Sequence, residues 1–323
     1  MNTALLDLDL LWVTGKGGVG KTSIAAAIAE VAARSGRRTL VCEMDAKGAL
    51  ATAFDVGELR FEPTEVAGNL FAMSMSTEDS LREYLRLFVR IPFLGRLGPL
   101  ARTFDFVADA APGVKEILAV GKLCWEVRER HFDLVVVDAE ASGHIVSQIG
   151  APNVIADLVQ VGLVRERTDW MRAILEDPER TGVAVVTTPE EMPVTESIEL
   201  LGRLTSETGA HPCAVVANRV LPAHFNRREA ALIDRLPEAE ELLVSAVGPA
   251  VSSVLEAADI TEHRRRTGAA HLDRLQAAIS ADPQLGSDIP VITLPELFSA
   301  RGYGPRIVSL LSSALADELD VER

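Results

Sequence analysis

The chain has few cysteines. Three in 323 residues, Cys42, Cys124 and Cys213, stand alone and far apart with no CxxC pair. That spacing argues against both a disulfide framework and a cysteine-clamped structural zinc. Basic residues are the scarcer charge: 32 Lys and Arg face 47 Asp and Glu, a formal net charge of −15. Such a molecule repels a polyphosphate, so no nucleic-acid partner is expected. No apolar run approaches the roughly 20 residues that cross a bilayer. The N-terminus sets Asp7 and Asp9 among its leucines without a basic flank. Neither an integral membrane segment nor a secretory leader is expected, and the compartment read from this is the cytosol. The last residues, ADELDVER, are acidic, unlike a basic amphipathic membrane tail. With no internal repeat and no flexible linker, residues 1–323 read as one domain with ample capacity for a buried core.

What the chain does have is a phosphate cradle. Residues 10–13, LLWV, form a short apolar run suited to a parallel strand buried on both faces. Gly15, Lys16, Gly17, Gly18, Val19, Gly20, Lys21 and Thr22 then spell GKGGVGKT, which meets G-x-x-x-x-G-K-[ST] at every required position. From Ser23 onward, residues 23–33 are alanine-rich and favour a helix. The glycines let the backbone turn its amides inward, and the helix aims its positive end at the phosphates. Lys21 would reach the β- and γ-phosphates, and the Thr22 hydroxyl would ligate Mg²⁺. ATP and Mg²⁺ are therefore the expected cofactors.

Further along, Gly36 is a helix C-cap candidate and residues 39–43 read as a second strand. Asp45 follows at its carboxyl end, where parallel sheets place ligand-binding groups; the alternative is a cap for the next helix. Residues 70–74 read as a strand, and Ser76 or Thr77 with Asp79 as a helix cap. From 81 to 130 helical spacing is broken at Pro92, Gly95, Gly98, Pro99, Pro112 and Gly113, so several helices are expected. Arg82, Arg86 and Arg90 recur opposite Leu81, Leu85, Phe88 and Val89, as a solvated face over a core stripe or as a partner-binding helix. Ile91, Phe93, Leu94 and Leu97 make the following connection unusually apolar, a hint of a partner surface.

Residues 132–138, FDLVVVD, form a Walker B strand whose Asp138 would hold Mg²⁺ through a water beside the loop. Gly143 lies five residues on, where a backbone amide could sense the γ-phosphate. Residues 146–176 read as helical with Pro178 as a stop, and 183–187 as a strand. Residues 214–217 form another strand, ending at Asn218. The Asn218 amide suits adenine, which needs both a donor and an acceptor, or serves a strand-end turn. Residues 222–281 read as charged, solvated helices, 290–294 as the last strand, and a helix closes the chain from 306. Pro295 and Phe298 could flank an adenine ring.

Lys16 is a second lysine in a loop that needs one. GKGGVGKT resembles the deviant Walker A loop of the superfamily that holds MinD, ParA, the nitrogenase iron protein, and the arsenite-pump and tail-anchored-protein-targeting ATPases. That resemblance implies that Lys16 reaches the partner subunit's nucleotide. EMDAKGALATAF is similar to the first switch of the arsenite-pump and targeting branch. Asp45 and Leu50 match D-P-A-x-x-L, which implies that Asp45 orients the attacking water, while Ala46 and Lys47 depart from it. DAEASGH is similar to the second switch D-x-A-P-T-G-H. Asp138, Gly143 and His144 match; Glu140 and Ala141 depart, which implies a more mobile loop. TTPEEMPVTESIELLGRL resembles the branch's P-E loop and glutamate-bearing helix, with Glu196, and VVANRV its adenine-binding asparagine, Asn218.

The chain is thus identified as a member of the ArsA-like family. The implied fold is an α/β, doubly wound, mostly parallel P-loop NTPase sheet, one P-loop ATPase domain over 1–323 with a helical subdomain, 77–130, inserted in it. The implied activity is Mg-ATP hydrolysis by a homodimer or a heterodimer with a paralogous subunit, with Lys16, Lys21 and Asp45 catalytic. Hydrolysis would drive conformational change, with a hydrophobic cargo or partner at the helical subdomain. Cys124 alone cannot form a three-thiolate arsenite site, and no methionine-rich groove is present. Two other readings stay open: a ParA/MinD-type positioning ATPase, and a nucleotide-holding scaffold subunit that hydrolyses weakly.

Overall fold

The computed structural model describes residues 4–84, 114–158, 163–285, 289–298 and 304–321. Among these, eight strands build one sheet: β1 Leu10–Gly15, β2 Thr39–Glu43, β3 Thr64–Ala67, β4 Leu70–Ser74, β5 Leu134–Ala141, β6 Thr181–Thr187, β7 Pro212–Val220 and β8 Val291–Pro295. Their order across the sheet is β3-β4-β2-β5-β1-β6-β7-β8. Only β3 runs antiparallel, against β4 at the edge. Strand β5 lies between β1 and β2, with Val13 and Glu43 both in register with Asp138.

Every residue of β1, β2 and β6 is buried, so their apolar residues run on both faces instead of alternating, with Thr14, Thr39, Glu43, Thr181 and Thr187 the buried polar exceptions. Leu11 and Val13 face one core, shared with the helices Lys21–Arg34, Ala49–Phe54 and Pro305–Glu318. Leu10 and Trp12 face the other, shared with Val114–Arg128, Ser142–Leu158, Leu163–Leu175, Glu191–Thr208 and the end of Ala250–Ala281. Helices on both faces of a mostly parallel sheet make the fold doubly wound, as expected. Helix Lys21–Arg34 buries Ala25, Ala26, Ala27, Ala29, Ala32 and Ala33 with Ile24 and Ile28. Small side chains let it lie close to the sheet, which fixes the loop at its N-terminus. It ends at Ser35, and Gly36 follows at φ +92°, as a left-handed C-terminal residue requires.

Four expectations need correction or limits. The second switch is not a loop, because β5 continues to Ala141 and a helix starts at Ser142, leaving Gly143 in its first turn. The single helix over 146–176 is two helices, Ser142–Leu158 and Leu163–Leu175. The charged helices after Pro222 are not wholly solvated: Glu262 is buried, with Arg265 and Arg266 donating to it at 2.8 Å. Arg86, Arg90 and the apolar residues Phe88, Ile91, Phe93, Leu94 and Leu97 lie outside the described residues. Arg82 is described and pairs with Glu78 and Asp79 on its own helix, so its charge is met locally.

Candidate nucleotide site

The loop between β1 and helix Lys21–Arg34 sits at the carboxyl edge of the central strands. Gly15 ends β1 at φ +148°, and a Cβ there would stand 2.1 Å from the Val186 carbonyl oxygen on β6. Only glycine fits. Gly18 and Gly20 also adopt left-handed angles, φ +90° and +96°, and a Cβ on Gly20 would come within 2.6 Å of Asn218 Nδ2. Gly17 has open space around it, Val19 is buried, and Ser23 falls in the helix's first turn. The loop is pinned from β7: Asn218 Nδ2 donates to the Val19 carbonyl at 2.8 Å, and its Oδ1 accepts from Arg219 N at 3.0 Å.

Lys21 Nζ donates to the Lys16 carbonyl at 3.3 Å, curled within the loop. Burial lowers its pKa, partly countered by the Asp138 carboxylate. A half-buried ammonium short of anionic contacts is suited to bind phosphate. Thr22 Oγ1 donates to Asp138 Oδ2 at 2.7 Å, while Asp138 Oδ1 is buried with no hydrogen-bond partner. Burial pushes the Asp138 carboxyl up to about 6; the Thr22 hydrogen bond and Lys21 oppose this, and Glu43 and Asp45 add to it. A hydroxyl and a carboxylate with one oxygen buried and free form a hard-oxygen donor set that fits Mg²⁺.

Lys16 pairs with Glu196 on helix Glu191–Thr208, each side chain about a third exposed. The other Glu196 oxygen accepts from Ser142 Oγ at 3.5 Å, so one carboxylate links the extra lysine to the start of the helix after β5. Asp45 does not cap the next helix, since Gly48 occupies the N-cap position. It pairs instead with Lys47, both largely exposed. The cap-like contact comes from Glu43, whose Oε1 accepts from Ala49 N at 2.9 Å. Sequence reading passed over Glu43; the signal was a carboxylate closing an otherwise apolar strand.

Gly143 and His144 are exposed, with His144 3.8 Å from Glu140. Pro295 is exposed at the end of β8, in register with Val220 of β7. Beside it a cavity of about 460 Å³ is lined by Arg219, Val220, His271 and Glu296, among others. The structure therefore gathers Lys16, Lys21, Thr22 and Asp138 at one edge and ties Asn218 to the loop. Asp45 lies on the adjoining loop after β2, while Gly143 and Pro295 are exposed.

The sequence profile of the anion-transporting ATPases matches residues 8–166 and 158–241. The chain is 30% identical over 230 residues to ATPase BagA of Mycobacterium tuberculosis, covering 68% of this chain and 67% of that one. It is 30% identical over 261 residues to a putative arsenical pump-driving ATPase of Halobacterium salinarum, covering 72% of this chain and 39% of that longer one. The arsenical pump-driving ATPase of Escherichia coli is 26% identical over 242 residues, 68% of this chain and 41% of its own. Phosphate loop, Walker B contact and profile agree, and the chain belongs to the anion-transporting ATPase family as an ATP hydrolase on a P-loop fold.

Proposed function

We propose that the chain works as a Mg²⁺-dependent ATPase that dimerises around nucleotide and converts hydrolysis into conformational change of a bound partner. The observation that supports this most is the Thr22–Asp138 hydrogen bond beside Lys21, with the second Asp138 oxygen buried and free. Thr22 and Asp138 would hold Mg²⁺, which when bound offsets charge on the phosphates. Lys21 and the loop from Gly15 to Ser23 bind and orient the triphosphate, and Gly143 lends an amide to the γ-phosphate. The base lies towards Asn218 and Pro295. Asp45 orients the attacking water, and for that its carboxylate must leave Lys47.

The dimer is a homodimer or includes a paralogous subunit, with hydrophobic cargo met by the segment 77–130. The setting is cytoplasmic; no helix among the described residues is long and apolar enough to cross a membrane. Light scattering of the purified chain is expected to show its mass doubling with ATP and Mg²⁺ and returning after turnover. An unchanged mass beside steady turnover refutes the nucleotide-gated homodimer.

The departures at Ala46 and Lys47 favour slow intrinsic hydrolysis. Asp45→Asn is expected to keep ATP affinity within about twofold and to lower kcat about a hundredfold, because the carboxylate acts on water and not on nucleotide. Equal loss of binding and turnover, read by calorimetry and phosphate release, gives Asp45 a structural role instead.

A further inference from the structure

Beside Asp138 stands a second buried carboxylate without an assigned role. Glu43 ends β2 in register with Asp138 on β5, and parallel neighbours in register project on the same face from backbones about 5 Å apart. Glu43 is 2% exposed and Asp138 6%. Each has one oxygen engaged, Glu43 Oε1 with Ala49 N and Asp138 Oδ2 with Thr22 Oγ1. Each also has one oxygen, Glu43 Oε2 and Asp138 Oδ1, buried with no hydrogen-bond partner. Two adjacent carboxylates in low dielectric, each missing a contact, repel one another unless a cation or a proton lies between them.

Lys21 acts on Asp138 through its charge, while its hydrogen bond goes to the Lys16 carbonyl. Lys47 is spent on Asp45 at the surface. Glu43 also lines a cleft of about 720 Å³ together with residues 46–48 and 58–62.

We infer that Glu43 is a second carboxylate of the divalent-cation seat, its free oxygen accepting, with that of Asp138, from the ion's hydration shell. This rests on reading Thr22 and Asp138 as that seat. A threonine with one carboxylate leaves most of the charge balance to the nucleotide phosphates. A second buried carboxylate makes the seat bind cation more tightly for a given nucleotide. It also couples the ion to the first switch, because the same Glu43 side chain holds the N-terminus of helix Ala49–Phe54.

The competing account is that Glu43 only tethers Ala49. Glu43→Gln separates the two, since the amide oxygen still accepts from Ala49 N while the charge is gone. The probe is Mn²⁺, with free ion counted by electron paramagnetic resonance in ADP-saturated full-length wild type, Glu43→Gln and Asp138→Asn. Glu43→Gln is expected to weaken Mn²⁺ binding about tenfold or more, the size of loss that follows removal of a metal's outer partner. Its ADP affinity in EDTA stays within about twofold of wild type. In EDTA its melting temperature is expected to be no lower than wild type, and Mn²⁺ to raise it less.

Wild-type Mn²⁺ affinity in Glu43→Gln overturns the inference and leaves Glu43 with the tether to Ala49 alone. If Asp138→Asn binds Mn²⁺ as wild type does, the seat itself is misread and the inference falls with it.

Discussion

Lys21→Ala is expected to remove ATP turnover, lowering kcat/KM by about a hundredfold or more while the protein still folds. The loop's glycine geometry does not depend on this side chain: Gly15 is confined by Val186 and Gly20 by Asn218. What disappears is the one ammonium within the curl, which carries the charge facing the β- and γ-phosphates. Folding should tolerate the change, because burial already disfavours that charge and its hydrogen bond is a long 3.3 Å. Truncation removes a poorly solvated cation as well as a favourable neighbour of Asp138, and the two effects oppose each other. A melting temperature close to wild type with turnover lost is the expected pair of results. Unchanged ATP affinity and turnover would place the phosphates elsewhere.

Lys16→Ala should be as inactive, for a different reason and in a different molecule. Lys16 is paired with Glu196 of its own chain. A partly exposed ion pair is worth only about 0.2–1 kcal/mol, so a neighbour's triphosphate competes for the lysine easily. If Lys16 completes the opposite site, Lys16→Ala binds ATP through its own Lys21 and fails to hydrolyse it. Mixing it with Lys21→Ala then restores function, because the site around the first variant's Lys21 receives Lys16 from the second. Random pairing gives mixed dimers for half the population, each with one whole site of two. The recovered rate is therefore about a quarter of wild type, from two inactive parents. No recovery, with mixed dimers demonstrated by native mass spectrometry, removes the trans role.

The parts legible in the sequence are those written locally. The strand, glycine turn and helix of the phosphate loop are contiguous, and strands over 39–43 and 70–74 stand where their apolar runs and turn residues put them. The edge strand Thr64–Ala67 was missed because it is short and mostly exposed, so no burial pattern marks it. Its one signal was the turn at Gly68 and Asn69, where Asn69 takes φ +61°.

The site's connections were illegible for another reason. Lys16 meets Glu196 and Asn218 meets Val19 across separations of 180 and 199 residues, and no local pattern encodes a contact made by sheet order. The unpartnered oxygens of Glu43 and Asp138 arise from register between β2 and β5, which sequence alone leaves free. The second switch read as a loop through its likeness to D-x-A-P-T-G-H. Helix and strand met there directly, with Ser142 in reach of Glu196.

The helix that follows the phosphate loop is covered by the last helix of the chain, with Val308, Leu311 and Leu315 in the same core as Ile24 and Ile28. Strand β1 likewise waits for β5 and β6 to supply both its neighbours. During synthesis the nucleotide loop leaves the ribosome long before helix Pro305–Glu318, which covers part of the helix behind it. At 5–20 residues per second, roughly 15–60 seconds separate the two helices. Throughout that interval the part of this alanine- and isoleucine-rich surface that Pro305–Glu318 covers has no native partner, and the nascent chain depends on holding factors or on provisional contacts until that helix emerges.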